Sequence, residues 1–184
     1  MILILKSWTI KKMILITELH NKYLKRDIPS SFCFDGERGE VFKIYYIYTD
    51  GSYKHKQKNP TATWSFAVCN EKHNLLELHT GTVEGPKQDT NTAELTAVIK
   101  AMEIMKKDKN YILYTDCEAI YNYCNGNLKP KKNLEFYQEI SKLQKEKHVL
   151  VLKVKGHDTR DTPGKFNDLV DSLAKHTAKI LINK

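Results

Sequence analysis

Apolar and polar positions follow short periods from residue 41 onward, and these periods predict a series of strands and helices. Three runs rich in β-branched and aromatic residues are typical of strands, with a polar loop at 51–62 after the first run. These runs lie at 41–49, 63–70 and 75–82. Because the links between them are short, we expect an antiparallel meander.

The second half of the chain alternates between helical and strand periods. Leu95, Val98 and Met102 recur at helical spacing within 89–107, where Asp89 is a candidate cap. Further patterns predict strands at 110–116 and 148–156, and helices at 117–124, at 134–147 and from Asn167 onward. This order predicts the α/β class, with one mixed sheet flanked by helices and right-handed crossovers to the later strands.

The first 40 residues differ from the rest, because they show no clear period beyond a short helical pattern at 14–25. We predict an N-terminal extension of unknown role at 1–40 and one domain at 41–184. Lysines interrupt the apolar patches of the extension, which disfavours export, and no apolar run approaches the roughly 20 residues of a membrane span. We expect a cytoplasmic protein, with mitochondrial targeting as the alternative.

The net charge of the chain indicates one class of binding partner. The 30 Lys and Arg residues exceed the 22 Asp and Glu residues, for a formal net charge of +8. Such an excess favours polyanions such as nucleic acid, although charge alone does not select them over other partners. The four cysteines lack the paired spacing of a metal site, and a chain of this size needs no disulfide, so we expect a reducing compartment. We also expect a monomer.

Two predicted strands end in the same residues, Tyr-Thr-Asp, at Asp50 and Asp116. If these strands are parallel neighbours, their carboxylates emerge at one edge of the sheet and repel each other unless a cation lies between them. Glu94 lies in the first turns of the long helix, and Asp171 shares a helical face with Asn167. Oxygen ligands of this kind suit Mg²⁺ and Mn²⁺, although each acid taken singly could also be a turn, cap or surface residue.

The same motifs, in this order, resemble type 1 ribonuclease H from Val41 to about Ala178. The matching segments are YTDGS with Asp50, NTAEL with Glu94, YTD with Asp116, KGH with His157, and NDLVDSLA with Asn167 and Asp171. The resemblance implies a ribonuclease H-like five-stranded mixed sheet, with three antiparallel strands followed by two parallel ones. It also implies an endoribonuclease that hydrolyses the RNA strand of RNA–DNA hybrids and leaves 5′-phosphate and 3′-hydroxyl ends.

The resemblance further implies the catalytic groups. Two Mg²⁺ ions, with Mn²⁺ as an alternative, would be held by Asp50, Glu94, Asp116 and Asp171. One ion would activate the attacking water and the other would stabilise the leaving oxygen. His157 would assist proton transfer or product release, so its removal should matter less than removal of an acid.

Substrate contacts are implied at other positions. Gly51, Ser52 and Asn91 match family positions near the hybrid backbone, and Asn167 would support this contact or orient the metal site. His157 follows Asp116 by only 41 positions, which leaves out the long basic protrusion of some family members. The basic clusters available in its place are Lys129–Lys132 and Lys54–Lys58, and either could instead be a solvated loop.

Two other functions remain open at this point. One is a nuclease or strand-transfer enzyme of the wider superfamily that acts on DNA, and the other is a non-catalytic hybrid-binding domain. Asn91, Gly51 and the loop of His157 favour RNA, and the complete set of acids argues against lost chemistry. Glu118 is an acid where an uncharged polar residue is more usual, so it would either perturb metal affinity or face solvent.

Overall fold

The computed structural model of the protein describes residues 43–54, 61–158 and 160–182. The strands are β1 (Ile44–Lys54), β2 (Thr61–Cys69), β3 (Leu75–Thr82), β4 (Asn110–Thr115) and β5 (His148–Lys153). The helices are α1 (Thr90–Ile104), α2 (Glu118–Cys124), α3 (Leu134–Glu146) and α4 (Thr162–Ile182). None of these helices combines the length and apolar character required to cross a membrane. The N-terminal extension and its helix at 14–25 lie outside the described residues, so the domain boundary after residue 40 stays a prediction.

All five strands form one mixed sheet in the order β3-β2-β1-β4-β5. β1 pairs antiparallel with β2, which pairs antiparallel with β3, whereas β4 is parallel to both β1 and β5. The predicted fold class is therefore confirmed. Thr49 lies beside Thr115 in the parallel pair, so the residues that follow them, Asp50 and Asp116, reach the same edge of the sheet.

The end of β1 is a correction to the sequence analysis. The loop predicted from residue 51 starts too early, because Gly51 and Ser52 continue to pair with β2 opposite Trp64 and Thr63. Glycine and serine favour turns locally, but here the strand passes directly beneath α1. A Cβ on Gly51 would overlap the backbone of Ala93 and Glu94, so the close approach of helix and strand requires a glycine.

The beginning of α4 is a second correction, since the helix starts at Thr162 and not at Asn167. Asp161 accepts a hydrogen bond from the backbone N–H of Gly164 at 2.8 Å and thereby caps the first turn. Pro163 is compatible with this turn, because a helix makes no use of the first backbone N–H groups. The local pattern Pro-Gly predicts a loop, whereas the cap and the packing of α4 produce a helix.

The helices cover both faces of the sheet. One face packs against α1, α2 and α3 through a hydrophobic core that includes Ile47, Phe66, Leu95, Leu113 and Ile140. The other face carries α4, whose Val170, Ala174 and Ala178 are fully buried. Burial of such side chains is the main stabilising contribution to the fold.

Two hydroxyl groups of β2 determine how α4 lies on the sheet. Ser65 Oγ donates to the carbonyl oxygen of Val170, and Thr63 Oγ1 donates to that of Ala174 at 2.8 Å. Ser65 is also the residue of β2 that lies opposite Asp50 of β1. The hydrogen bond to Val170 therefore holds the next residue of α4, Asp171, near Asp50.

Candidate active site

Three acids meet where β1, β4 and α1 converge. Asp50 lies within β1, Asp116 follows β4 by one residue, and Glu94 belongs to the first turns of α1. One carboxylate oxygen from each residue lies within 4.8 Å of the others. We call Asp50, Glu94 and Asp116 the three-acid cluster.

The position of Glu94 follows from how α1 begins and where it packs. The carboxylate of Asp89 accepts from the Thr92 N–H at 2.7 Å, while the Thr92 hydroxyl accepts from the Asp89 N–H at 3.0 Å. Such a capping box fixes the first helical turn. Because Gly51 lies directly beneath Ala93 and Glu94, this turn holds Glu94 at the level of Asp50.

Asp50 and Glu94 are buried, Asp116 is half-buried, and the repulsion among the three carboxylates is unfavourable without a cation. Burial, followed by the charge of Asp116, raises the pKa of Asp50 to about 8. Burial and the charge of Asp50 raise the pKa of Glu94 well above its ordinary value. Asp50 Oδ2 and Glu94 Oε2 are buried and have no hydrogen-bond partner among the described residues. Buried acceptors without donors are costly, and an all-oxygen donor set suits Mg²⁺ or Mn²⁺, so these residues fit a divalent metal.

Asp116 is held from two sides. Asn167 Nδ2 donates to Asp116 Oδ2 at 3.2 Å, and a Cβ added to Gly156 would come within 2.9 Å of the same oxygen. Asn167 is 1% exposed, and its Oδ1 is a buried acceptor without a partner in the described structure. This geometry favours the metal-orienting role of Asn167 over a direct substrate contact. Gly156 was missed by the sequence analysis, although it belongs to the KGH segment.

Asp171, the fourth predicted acid, borders the three-acid cluster. Its charge contributes to the raised pKa of Asp50, which places the two carboxylates close together. Lys175 Nζ donates to Asp171 Oδ2 at 2.6 Å, and this hydrogen bond raises the pKa of Lys175. The i,i+4 spacing of Asp171 and Lys175 could have indicated this pair.

His157 lies near Asp171 and outside the three-acid cluster. Its imidazole is 70% exposed, with Nδ1 3.9 Å from Asp171 Oδ2 and 3.6 Å from Asp168 Oδ1. His157 therefore belongs to an exposed loop between β5 and α4. Asp168, which was not among the predicted site residues, lies one turn before Asp171 on α4 and could have been found from that spacing.

The predicted substrate residues lie on the same elements as the acids: Gly51 and Ser52 on β1, Asn91 on α1 and Asn167 on α4. Asn91 is exposed in the first turn of α1, whereas Ser52 is buried within β1. The position that a side chain would take on Gly51 faces α1, so its predicted contact with the hybrid would have to come from its backbone.

Lys129, Lys131, Lys132 and Glu118 lie on the surface. Lys129–Lys132 follow α2 in an exposed loop, while residues 55–58 of the other cluster lie outside the described structure. Glu118 is 71% exposed and pairs with Lys153 at 3.0 Å, which supports the solvent-facing alternative.

Comparison with known proteins identifies the family. The RNase H family model matches residues 43–179. The ribonuclease H of Ruthia magnifica subsp. Calyptogena magnifica is 34% identical over 108 residues, which cover 50% of this chain and 71% of the relative. That of Caldicellulosiruptor saccharolyticus is 30% identical over 151 residues, covering 74% of this chain and 97% of the relative. The crystal structure of LC11-RNase H1 in complex with an RNA/DNA hybrid matches with a TM-score of 0.56 at 20% identity, over 73% of this chain and 99% of that one. With its family match, sheet order and cluster of acids, this chain belongs to the ribonuclease H family.

Proposed function

We propose that the protein is a metal-dependent endoribonuclease that hydrolyses the RNA strand of RNA–DNA hybrids and leaves 5′-phosphate and 3′-hydroxyl ends. The observation that carries this proposal is the three-acid cluster, in a chain of the ribonuclease H family. Two of its buried oxygens, Asp50 Oδ2 and Glu94 Oε2, have no donor among the described residues. The solved structure of LC11-RNase H1 with an RNA/DNA hybrid supports the substrate class.

The proposed metal ligands are Asp50, Glu94, Asp116 and Asp171, holding two Mg²⁺ ions, with Mn²⁺ as an alternative. When bound, the ions supply an activated water and stabilise the charge that develops on the phosphate and leaving oxygen. The protein's own contribution is to hold the ligands in place. Asn167 orients Asp116, and Lys175 orients Asp171.

His157 is proposed as an auxiliary group in proton transfer or product release. Its exposed imidazole borders Asp171, with Nδ1 3.9 Å from Asp171 Oδ2. Imidazole is the side chain that most often transfers protons in enzyme active sites. Its contribution is smaller than that of the acids, because it does not hold the metal.

Substrate binding is proposed at the beginning of α1 and the loop after α2. Gly51, Ser52 and Asn91 would lie near the RNA backbone, where polar groups can recognise a 2′-hydroxyl. Lys87 contacts Asn133 through Nζ and Oδ1, which brings the segment before α1 next to the loop that carries Lys129–Lys132. We propose that the lysines of this loop bind the hybrid electrostatically.

We also propose a monomeric, cytoplasmic protein with its catalytic domain at 41–184 and an N-terminal extension at 1–40. The family match over 43–179 supports the position of the catalytic domain.

A cleavage assay on labelled duplexes tests the proposed function. RNA–DNA hybrid, RNA–RNA and DNA–DNA duplexes are incubated with Mg²⁺, with Mn²⁺ or with a chelator. We expect cleavage of the hybrid's RNA strand alone, dependent on metal. Cleavage of the DNA duplex would favour the DNA-directed alternative, and binding of the hybrid without cleavage would favour a non-catalytic domain.

A further inference from the structure

His157 occupies a backbone conformation that is unfavourable for a residue with a Cβ. Its φ of 56° lies in the left-handed region, which costs a non-glycine residue roughly 1–2 kcal/mol. Such a conformation persists only where neighbouring contacts hold it in place. The contacts around His157 therefore show what fixes the direction of its imidazole.

The first of these contacts closes a turn around His157. The Asp158 N–H donates to the carbonyl oxygen of Lys155 at 3.4 Å, so His157 is the third residue of a four-residue turn. Positive φ at this position is a property of type II turns, which usually place glycine there. The turn alone does not explain why a histidine is stable in it.

The second contact is a pair of charged groups that follows the turn. Arg160 Nε donates to Asp158 Oδ1 at 2.7 Å, and a second guanidinium nitrogen contacts Asp158 Oδ2. Two-point contact of guanidinium and carboxylate fixes orientation as well as distance. The side chain of Asp158 is thus held immediately after His157.

The third contact joins the loop to α4. A Cβ added to Gly164 would overlap the carbonyl oxygen of Asp158 and lie 3.0 Å from Asp161 Oδ1. The backbone of Asp158 therefore rests directly on the first turn of α4. Glycine within a helix costs roughly 1 kcal/mol relative to alanine, and this close contact explains its presence.

The same helix carries Asp171, so the contact at Gly164 connects the His157 loop to the acids. We propose that Gly164, together with the Asp158–Arg160 pair, is a docking point that positions the imidazole of His157 beside Asp171. This inference rests on the proposed auxiliary role of His157 in hydrolysis. Gly164, Asp158 and Arg160 are positioning residues, because they act through His157.

The substitution Gly164→Ala tests the docking point with one methyl group. Helix propensity alone would make alanine stabilising, whereas the methyl group must displace Asp158 and with it His157. We expect kcat for hybrid cleavage to fall about tenfold, within the ~100-fold that a 1 Å misplacement can cost, with KM little changed. Thr162→Ala, an exposed position in the same turn, is the matched control and should keep the unmutated kcat.

A double-mutant cycle with His157→Ala separates positioning from a general structural effect. If Gly164 acts through His157, Gly164→Ala causes no further loss of kcat in the His157→Ala background. Arg160→Ala, which removes an exposed side chain, should show the same dependence on His157 with a smaller loss. A thermal melt of each variant establishes that the protein is folded.

Three results would overturn the docking point. They are an equal loss of kcat in both backgrounds, an unchanged kcat in Gly164→Ala, and an unchanged kcat in His157→Ala. None of these affects the proposed nuclease activity, which fails only if the unmutated protein does not cleave the hybrid.

Discussion

The three-acid cluster and the loop that carries His157 differ in how their side chains are held. Asp50 is 4% exposed and belongs to the central strand, and Glu94 is 8% exposed on a helix packed against it. His157 lies in an exposed loop whose conformation depends on a few polar contacts and on Gly164. Metal ligands require rigid support, whereas an auxiliary proton-transfer group needs access to solvent and substrate.

This contrast predicts the largest loss of activity at Asp50. Asp50→Asn keeps the shape of the side chain but removes a charged metal ligand, so we expect hybrid cleavage in Mg²⁺ to fall at least about 10³-fold. Hybrid binding should survive, because the binding surface is unchanged. Single-turnover cleavage and a binding titration measure the two effects separately, and activity near the unmutated level would contradict the site.

Gly51→Ala sharpens the contrast by moving a rigid element without removing an acid. The added Cβ overlaps the α1 backbone at Ala93 and Glu94, so we expect a loss of about 1–3 kcal/mol in the free energy of unfolding. Displacement of Glu94 should also lower kcat by up to about 100-fold. Chemical denaturation and hybrid cleavage provide the measurements. Unchanged stability would show that α1 does not require the glycine.

His157→Ala tests the loop side of the comparison. Since His157 is exposed and does not hold the metal, we expect kcat to fall about tenfold, below the usual range of roughly 10²–10⁴-fold for general acid–base groups. The stability of the protein should not change. A loss as large as that of Asp50→Asn would mean that the two regions do not differ in importance.

Removing the positive charges of the loop after α2 should have a still smaller effect on hybrid cleavage per residue. Alanine at Lys129, Lys131 and Lys132 removes three exposed charges, so KM for the hybrid should rise and its dependence on salt concentration should weaken. Alanine at the exposed Lys72, Lys106 and Lys107 removes the same number of charges and is the control for net charge. Equal effects of the loop substitutions and the control substitutions would indicate general electrostatic attraction and no specific binding by the loop.

The raised pKa of Asp50 predicts how stability depends on pH in the metal-free protein. In the folded state Asp50 keeps its proton up to about pH 8, whereas the unfolded chain loses it near the ordinary value of 3.8. Stability should therefore fall as pH rises through this window, and Asp50→Asn should weaken that fall. At neutral pH and without metal, the free energy of unfolding of Asp50→Asn should exceed that of the unmutated protein by at least about 1 kcal/mol.

Denaturation in the presence of a chelator, at pH 5 and pH 8, measures this effect. Asp108→Asn, which changes an exposed acid, is the control and should leave the pH dependence as it is. An identical pH dependence in Asp50→Asn and the unmutated protein would contradict the raised pKa of Asp50.

The sheet and the meeting of the acids could be predicted because they follow from topology. β3 has the predicted bounds, and parallel pairing of β1 with β4 brings Asp50 and Asp116 to one edge. The last residue of β1 and the first residue of α4 could not be predicted, because Gly51 and Gly164 favour turns locally. Gly51 lies against the α1 backbone, which is far away in the sequence, and Gly164 lies against the carbonyl of Asp158 in an irregular loop. These contacts decide the conformations of the two glycines.

The contacts around the acids were less accessible to sequence reasoning. The hydrogen bond from Asn167 to Asp116 joins residues 51 positions apart, and no local pattern specifies its length. The left-handed backbone of His157 also depends on contacts made in the folded protein. Sequence spacing therefore identifies candidate ligands, whereas their orientation requires the structure.

Binding of Mn²⁺ to the protein without nucleic acid tests the central claim, that the buried acids form a metal site. Mn²⁺ can be followed by electron paramagnetic resonance as it is titrated into the unmutated protein and into Asp50→Asn. We predict saturable binding by the unmutated protein and at least about tenfold weaker binding by the variant, which is about 1.4 kcal/mol. Equal affinity in the two proteins would contradict the account.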